Sequence, residues 1–138
     1  MKTVMSGLDL RAIANELSQM AGSHCKKCYQ PHYEQVVLRL RAKSGGNTDL
    51  VLVRGKRIYT SQRDRPMPQY PAPFAMVLRK VLTNARLKAV EQVGFDRVLR
   101  FIFENSHGTF HLYVEVFRDG NIILTDGDDL IIQPLTHA

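Results

Sequence analysis

Apolar side chains first recur at helical spacing near the start of the chain. Ser6 lies three residues before Asp9, the spacing of a capping box at a helix N-terminus. The apolar positions that follow, up to Gly22, are Leu10, Ile13, Ala14, Leu17 and Met20. This spacing predicts an amphipathic helix that packs on a core.

After this helix the apolar pattern changes to a period of two. The alternating positions are Val36, Leu38, Leu40 and Ala42 against Val37, Arg39 and Arg41. A Ser-Gly-Gly-Asn turn at 44–47 precedes a second apolar run at 50–53. Together these segments predict a β-hairpin, and residues 57–60 are expected to add a further strand.

A proline-rich stretch at 61–73 interrupts the β pattern. Its prolines, Pro66, Pro68, Pro71 and Pro73, follow the charged residues Arg63, Asp64 and Arg65. We expect an extended, partly rigid loop there, because proline fixes the backbone and removes a hydrogen-bond donor. Pro73 suits the first turn of a second helix. In that helix an apolar stripe of Phe74, Val77, Leu78 and Val81 lies opposite Arg79 and Lys80.

Short β-like runs make up the rest of the chain. They cover residues 86–93, 96–104, 109–117, 121–125 and 129–133, and turn residues separate them. Eight short strands and two helices predict a single α+β domain over residues 1–138. Its expected architecture is an antiparallel β-sandwich or flattened barrel flanked by the helices.

Positive charge is concentrated in the middle of the sequence. The chain carries a formal charge of +6, but residues 26–100 hold 16 basic and 5 acidic side chains, whereas residues 101–138 hold 1 and 6. A basic stretch of this kind attracts nucleic acid, since each neutralised phosphate releases a counterion. A basic surface that only aids solubility is the open alternative.

Four potential metal ligands lie within nine residues, in the motif His24-Cys25-x-x-Cys28-x-x-x-His32. A structural zinc site usually takes its second ligand pair from a distant segment, so we expect the spacing to be coincidental and no metal or other cofactor to bind. The N-terminus lacks the apolar run of a secretion signal, and no segment has the length of a membrane span. These features favour a cytoplasmic location without a membrane partner, where the cysteines stay reduced.

Common cofactor and hydrolase signatures are absent from the sequence. No G-x-G-x-x-G, P-loop, G-x-S-x-G or H-E-x-x-H motif occurs, and no nucleophile lies beside an identifiable base. We therefore expect a non-enzymatic protein with no catalytic residues.

Asp96 and Arg97 form an acid–base dipeptide at the start of a predicted strand. Arg97 could pair with phosphate or a base edge, and Asp96 could accept hydrogen bonds from the amino groups of unpaired bases. The structural alternative is that Asp96 caps the turn and that Arg97 is a surface residue or makes an internal salt bridge. Asp9 has a similar alternative, because a carboxylate in a first helical turn binds backbone N–H groups.

Motifs spread along nearly the whole chain resemble, in order, the N-terminal domain of the NFACT family. They are Met5-Ser6-x-x-Asp9, Glu16-Leu17, Tyr29-Gln30, Arg65-Pro66-x-Pro68, the run 74–80, Gly94-Phe95-Asp96-Arg97-Val98 and the run 120–126. The resemblance implies a protein that binds tRNA and large ribosomal subunits still carrying peptidyl-tRNA, and that takes part in adding C-terminal tails to stalled nascent chains. Family members also have helix-hairpin-helix, coiled-coil and C-terminal domains, which are expected to be absent from this chain.

The resemblance assigns the tRNA contact to Asp96 and Arg97, with Asp9 as a companion. Arg63, Arg65, Arg79 and Lys80 are additional candidates for phosphate contacts, and solvated charge is their open alternative.

The family's N-terminal domain also resembles that of formamidopyrimidine-DNA glycosylases, which makes a DNA-processing enzyme the alternative function. Those enzymes use an N-terminal proline as nucleophile, and here the first proline is Pro31. An adhesin, suggested by the family's older description as fibronectin-binding proteins, would need a secretion signal.

Overall fold

A computed structural model describes residues 7–62, 67, 72–94 and 96–136. The two α-helices of this part of the chain are α1 (Gly7–Leu17), which continues into a short 3-10 turn at Ser18–Met20, and α2 (Pro73–Val81). Its strands are β1 (His24–His32), β2 (Gln35–Arg41), β3 (Asn47–Val53), β4 (Arg57–Ser61), β5 (Arg86–Gln92), β6 (Val98–Asn105), β7 (Gly108–Glu115), β8 (Ile122–Asp126) and β9 (Ile131–Pro134).

The described strands form one nine-stranded antiparallel sheet with the order β4-β3-β2-β1-β5-β6-β7-β8-β9. Within the described chain, β1 pairs with β5 only at His24 and Arg86, so the sheet splays into two halves at that junction. Gly55, in the turn between β3 and β4, donates its N–H to the Glu115 carbonyl of β7 at 3.2 Å. The two half-sheets therefore face each other as the layers of a sandwich, and the sheet does not close into a barrel.

Both half-sheets contribute to a shared hydrophobic core. In β6 the inward residues Leu99, Phe101 and Phe103 are fully buried, and they alternate with outward residues that are partly exposed. Leu38, Leu52 and other residues of the first half-sheet belong to the same cluster. The helices complete it with Leu10, Ala14 and Leu17 of α1 and with Phe74, Leu78 and Leu82 at α2. Apolar burial on this scale is the main stabilising contribution to the fold.

The predicted α+β class is confirmed, and so are both helices and the hairpin of β2 and β3. Strand β1 was not predicted from the sequence. Its burial pattern lacks the expected alternation, because the register shifts between Cys25 and Lys27 and again between Tyr29 and His32. A β-bulge adds a residue that the period-two pattern cannot accommodate.

Residues of the run 120–126 fix the path of the chain between β7 and β9. The Asn121 side chain donates to the Thr136 carbonyl at 2.8 Å and accepts from the Thr136 N–H at 3.1 Å. Its own N–H donates to the Glu115 carboxylate at 2.7 Å. These contacts tie the end of the chain to β7 and give the Gly-Asn motif a structural role.

Neither α1 nor α2, the helices in the described part of the chain, combines the length and the apolar character that a membrane span requires.

Candidate nucleic-acid interface

The turn between β5 and β6 carries the Asp-Arg dipeptide. Gly94 has a φ of +59°, which lies in the left-handed region that favours glycine. The Val93 N–H donates to the Val98 carbonyl at 2.9 Å, and the Asp96 N–H donates to the Val93 carbonyl at 3.2 Å. β6 begins only at Val98, so the predicted strand start at residue 96 is wrong. Asp96 and Arg97 therefore lie in the turn that precedes β6.

Two further hydrogen bonds hold the backbone of this dipeptide. The Gln92 side-chain amide donates to the Asp96 carbonyl at 3.0 Å. The Val116 N–H, just beyond β7, donates to the Arg97 carbonyl at 2.7 Å. The turn is thus fixed by residues of β5, β6 and the segment after β7. A backbone fixed in this way presents its side chains with little loss of conformational entropy on binding.

The side chains of Asp96 and Arg97 are both exposed. Within the described residues, neither side chain has a hydrogen-bond or ion-pair partner. A charged pair with no internal partner on a fixed backbone contributes little to the stability of the fold and is available to an external ligand.

The N-terminal end of α1 lies at the same end of the molecule as this turn. Ser18, beyond the C-terminus of α1, donates to the Val90 carbonyl at 3.1 Å, whereas Arg11 lines a groove with Gly94. α1 therefore runs antiparallel to β5, and this direction brings half-buried Asp9 toward Asp96 and Arg97.

The groove between α1 and β5 adds residues to the candidate interface that were not predicted from the sequence. It has a volume of about 310 Å³ and is lined by Arg11, Ala14, Asn15, Val90, Glu91, Gln92 and Gly94. Arg11 and Asn15 are four residues apart and therefore share a face of α1. This spacing points to the groove only when α1 is known to lie beside the turn.

The carboxylate in this groove is already neutralised. Arg100 donates to Glu91 from Nε at 3.2 Å and from Nη2 at 3.1 Å. Hydrogen bonding to Tyr113, and then to Glu91, raises the pKa of the Arg100 guanidinium, while burial opposes the rise. Glu91 therefore repels an approaching phosphate less than an unpaired carboxylate would.

The structure places Arg79 and Lys80 away from this end. Asn105, at the far end of β6, donates to the Val81 carbonyl of α2 at 2.9 Å. Seven residues of strand separate that point from Val98, a distance of about 23 Å at the usual rise of a strand. Arg79 also has a structural role: its Nε donates to the Cys28 carbonyl at 2.7 Å, and its guanidinium lies 5.3 Å from the ring centre of Tyr29.

The other cations that were predicted from the sequence to contact phosphate have different surroundings. Lys80 is exposed on α2. Arg63 and Arg65 lie outside the described residues. The structure therefore places Lys80 and Arg79 at the opposite end of the molecule from Asp96 and Arg97.

The His-Cys-Cys-His motif lies on β1. The bulge turns Cys25 and Cys28 to the same side, where both are buried with their Sγ atoms 3.6 Å apart. His24 and His32 lie at opposite ends of the strand. The hydrogen bond with Cys25 and then burial raise the pKa of the Cys28 thiol well above its usual value. Metals bind the thiolate, which this environment disfavours. Among the described residues, no three His, Cys, Asp or Glu side chains are grouped to hold a metal ion.

Sequence comparison finds relatives along nearly the whole chain. The profile of the family described as NFACT N-terminal and middle domains matches residues 6–138. The archaeal Rqc2 homolog aRqcH of Methanocaldococcus jannaschii is 38% identical over 98% of this chain and 21% of its own length. The human ribosome quality control complex subunit NEMF is 35% identical over 98% of this chain and 12% of its own length. The chain thus spans about a fifth or less of these two relatives.

Two solved structures share the fold. The N-terminal domain of the fibronectin-binding protein PavA from Streptococcus pneumoniae aligns with a TM-score of 0.86 at 29% identity, covering 96% of this chain and 54% of that one. The N-terminal part of the fibronectin/fibrinogen-binding protein of Streptococcus suis aligns with a TM-score of 0.88 at 29% identity, covering 97% and 54%.

Proposed function

This chain belongs to the NFACT family, and from that membership we propose that it is the tRNA-binding part of a ribosome quality control factor. The archaeal and human relatives are themselves named as an Rqc2 homolog and a ribosome quality control complex subunit. The proposed partners are tRNA and the large ribosomal subunit that still carries peptidyl-tRNA, in the cytoplasm. The proposed role is to hold tRNA while the complete factor adds a C-terminal tail to the stalled chain.

The observation that carries the proposal is the fixed turn with its two exposed charges. Asp96 and Arg97 have no partner among the described residues, although their backbone is hydrogen-bonded on several sides. Their side chains differ in what they offer a nucleic acid. A guanidinium donates two parallel hydrogen bonds to a phosphate or to guanine, and a carboxylate accepts hydrogen bonds from base amino groups.

Unpaired bases are the natural target of such a pair. Loops of folded RNA expose base edges that pairing occupies, so a carboxylate at the end of the sandwich reaches most base amino groups in a loop or single strand. The groove residues Arg11 and Asn15 lie beside Gly94 of the turn, and α1 directs Asp9 toward the same end of the molecule, so these residues extend the proposed contact. The role needs binding only, so the proposal assigns no catalytic residue and no cofactor.

The sign of the effect at Asp96 separates this proposal from a generic basic surface. Asp96→Ala removes a negative charge, and a surface that attracts RNA only through its net charge would then bind more tightly. If Asp96 accepts hydrogen bonds from bases, the variant instead binds tRNA more weakly, by about tenfold for a charged hydrogen bond worth roughly 1.5 kcal/mol. Equilibrium titration of labelled tRNA with the wild-type chain and the variant measures this difference.

Asp128→Ala is the matched control, since Asp128 is also exposed but lies in the turn between β8 and β9. It should leave tRNA affinity unchanged or slightly higher. Parallel titrations with duplex DNA at two salt concentrations test the nucleic-acid class. Tighter binding to duplex DNA, together with strand cleavage, would contradict the proposal and favour the DNA-processing alternative.

A further inference from the structure

A group of basic residues lies at the junction of the two half-sheets, at the opposite end of β5 from the Asp-Arg turn. His24 pairs with Arg41 of β2 on one side and with Arg86 of β5 on the other. Side chains of directly paired residues lie on the same face of a sheet, so these three form a row across three strands. We use the name basic seam for this row together with Lys26 and Lys27, the exposed residues at the bulge of β1.

Most of the charge in the basic seam is not neutralised by the protein. Lys27 and Arg41 are exposed and have no carboxylate partner among the described residues. Lys26 reaches only the neutral amide of Asn84, at 3.3 Å. Two carboxylates on neighbouring strands are engaged in ion pairs: Asp49 binds Arg39 at 2.9 Å, and Glu104 is shared between Arg86 of the basic seam at 3.7 Å and Lys88 at 3.2 Å. Within the basic seam, Arg86 is therefore partly neutralised.

A recess opens between the basic seam and α2. Its volume is about 180 Å³, and it is lined by Cys25, Lys26, Lys27, Cys28, Arg79, Leu82 and Thr83. This volume equals that of roughly six water molecules, which is room for a phosphate group with part of its hydration. Arg79 is held in place by the Cys28 carbonyl and the Tyr29 ring, so its charge lies at a fixed position in the wall.

We propose that the basic seam is a second contact for the RNA, one that binds phosphates of its backbone, while the Asp-Arg turn binds at the other end of β5. This inference rests on the proposed function. The two contacts are about 20 Å apart, since six residue steps of β5 separate Arg86 from Gln92. Neighbouring phosphates of a helical strand are about 3.4 Å apart along the axis, so about six nucleotides span that distance.

The side chains of the basic seam fit a phosphate backbone better than a membrane surface. Lysine and arginine on an open strand face provide charge without reading sequence, as backbone contacts do. A membrane surface would also need adjacent exposed apolar side chains. Among the described residues the large exposed ones are Tyr33, Met76, Leu130, Ile131 and Ile132, and none belongs to the basic seam.

The double variant Lys27→Ala/Arg41→Ala tests the inference. Both side chains are exposed and have no ion-pair partner among the described residues, so circular dichroism should show an intact fold. We expect tRNA affinity to fall about tenfold at low salt, and the slope of log K against log salt to become shallower by about 0.9 for each lost phosphate contact. The control, Lys56→Ala/Arg57→Ala, also removes two positive charges, but from residues that have partners within the protein: Lys56 lies 3.6 Å from Glu34, and Arg57 lies over the Tyr59 ring. It should change affinity by less than about twofold.

The outcomes separate the basic seam from the proposed function. Equal losses in both double variants would overturn the basic seam as a site, and so would a loss of binding to anionic lipid vesicles without a loss of binding to tRNA. If Asp96→Ala weakens tRNA binding but the Lys27→Ala/Arg41→Ala variant does not, the basic seam fails while the proposed function stands. A wild-type chain with no preference for tRNA over duplex DNA would overturn both.

Discussion

Replacing Phe101 by alanine is expected to lower the free energy of unfolding by about 3–5 kcal/mol. Phe101 is fully buried in β6, a central strand, and belongs to the core that both half-sheets share. The variant loses the transfer free energy of the ring and leaves a cavity between the two layers. A loss of this size is a large part of the 5–15 kcal/mol typical of a domain. Urea denaturation followed by circular dichroism measures it.

Ile102→Ala provides the control for this prediction. Ile102 is the next residue of the same strand but faces outward and is only partly buried. Its truncation should cost less than half as much as the loss of Phe101, because a partly solvated side chain leaves no closed cavity. Equal losses for the two variants would contradict the sandwich arrangement, in which one face of β6 is buried by the opposite layer.

Gly120→Ala is the second substitution with a large expected effect, a loss of about 3 kcal/mol, at the upper end of overpacking costs. A Cβ atom at this position would lie 2.5 Å from the Glu115 carbonyl oxygen and 2.8 Å from that of Phe117. Both atoms are backbone, so the clash cannot be relieved by a side-chain rotation. The Glu115 carbonyl also accepts the hydrogen bond from Gly55 that joins the half-sheets, so a shift there affects both layers.

Gly46→Ala is the matched control, because a Cβ there has no atom within 4 Å. Its unfolding free energy should stay unchanged or rise by up to about 1 kcal/mol, through reduced freedom of the unfolded chain. Thermal or urea unfolding of the two glycine variants checks the pair. Coinciding transitions would mean that the close approach of β7 and the Gly120 turn is wrong.

Much of the fold could be predicted from the sequence, because the inward residues of several strands follow a strict alternation. Leu112 and Val114 are buried at alternate positions of β7, and α2 begins at Pro73 as expected. Such helices and strands can be predicted because burial of one face makes apolar residues recur with the period of the helix or strand. β1 did not, because its bulge places Cys25 and Cys28 on one face although they are three positions apart.

The candidate site could be predicted only in part. The family resemblance identified Asp96 and Arg97 as site residues. The apolar pattern, however, predicted that β6 already includes them, because the pattern of a short strand does not show at which residue the pairing with its neighbour begins. α1 runs antiparallel to β5 and so brings Asp9 toward the turn. This arrangement depends on tertiary packing, which no local sequence pattern shows. The motif at Gly120 and Asn121 supported the family assignment equally well, yet the structure gives it a packing role.

The most direct test of the tRNA-holding role is an equilibrium titration of tRNA with the wild-type chain, Arg97→Ala and Arg57→Ala. Both variants lose one positive charge, but Arg97 lies in the fixed turn, whereas Arg57 stacks over Tyr59 on the edge strand β4. We predict that Arg97→Ala weakens binding about tenfold or more, as expected for a charge-assisted hydrogen bond, while Arg57→Ala stays within about twofold of the wild type. Equal, small losses in the two variants, with the fold intact by circular dichroism, would contradict the account and leave the basic surface without a specific tRNA contact at this turn.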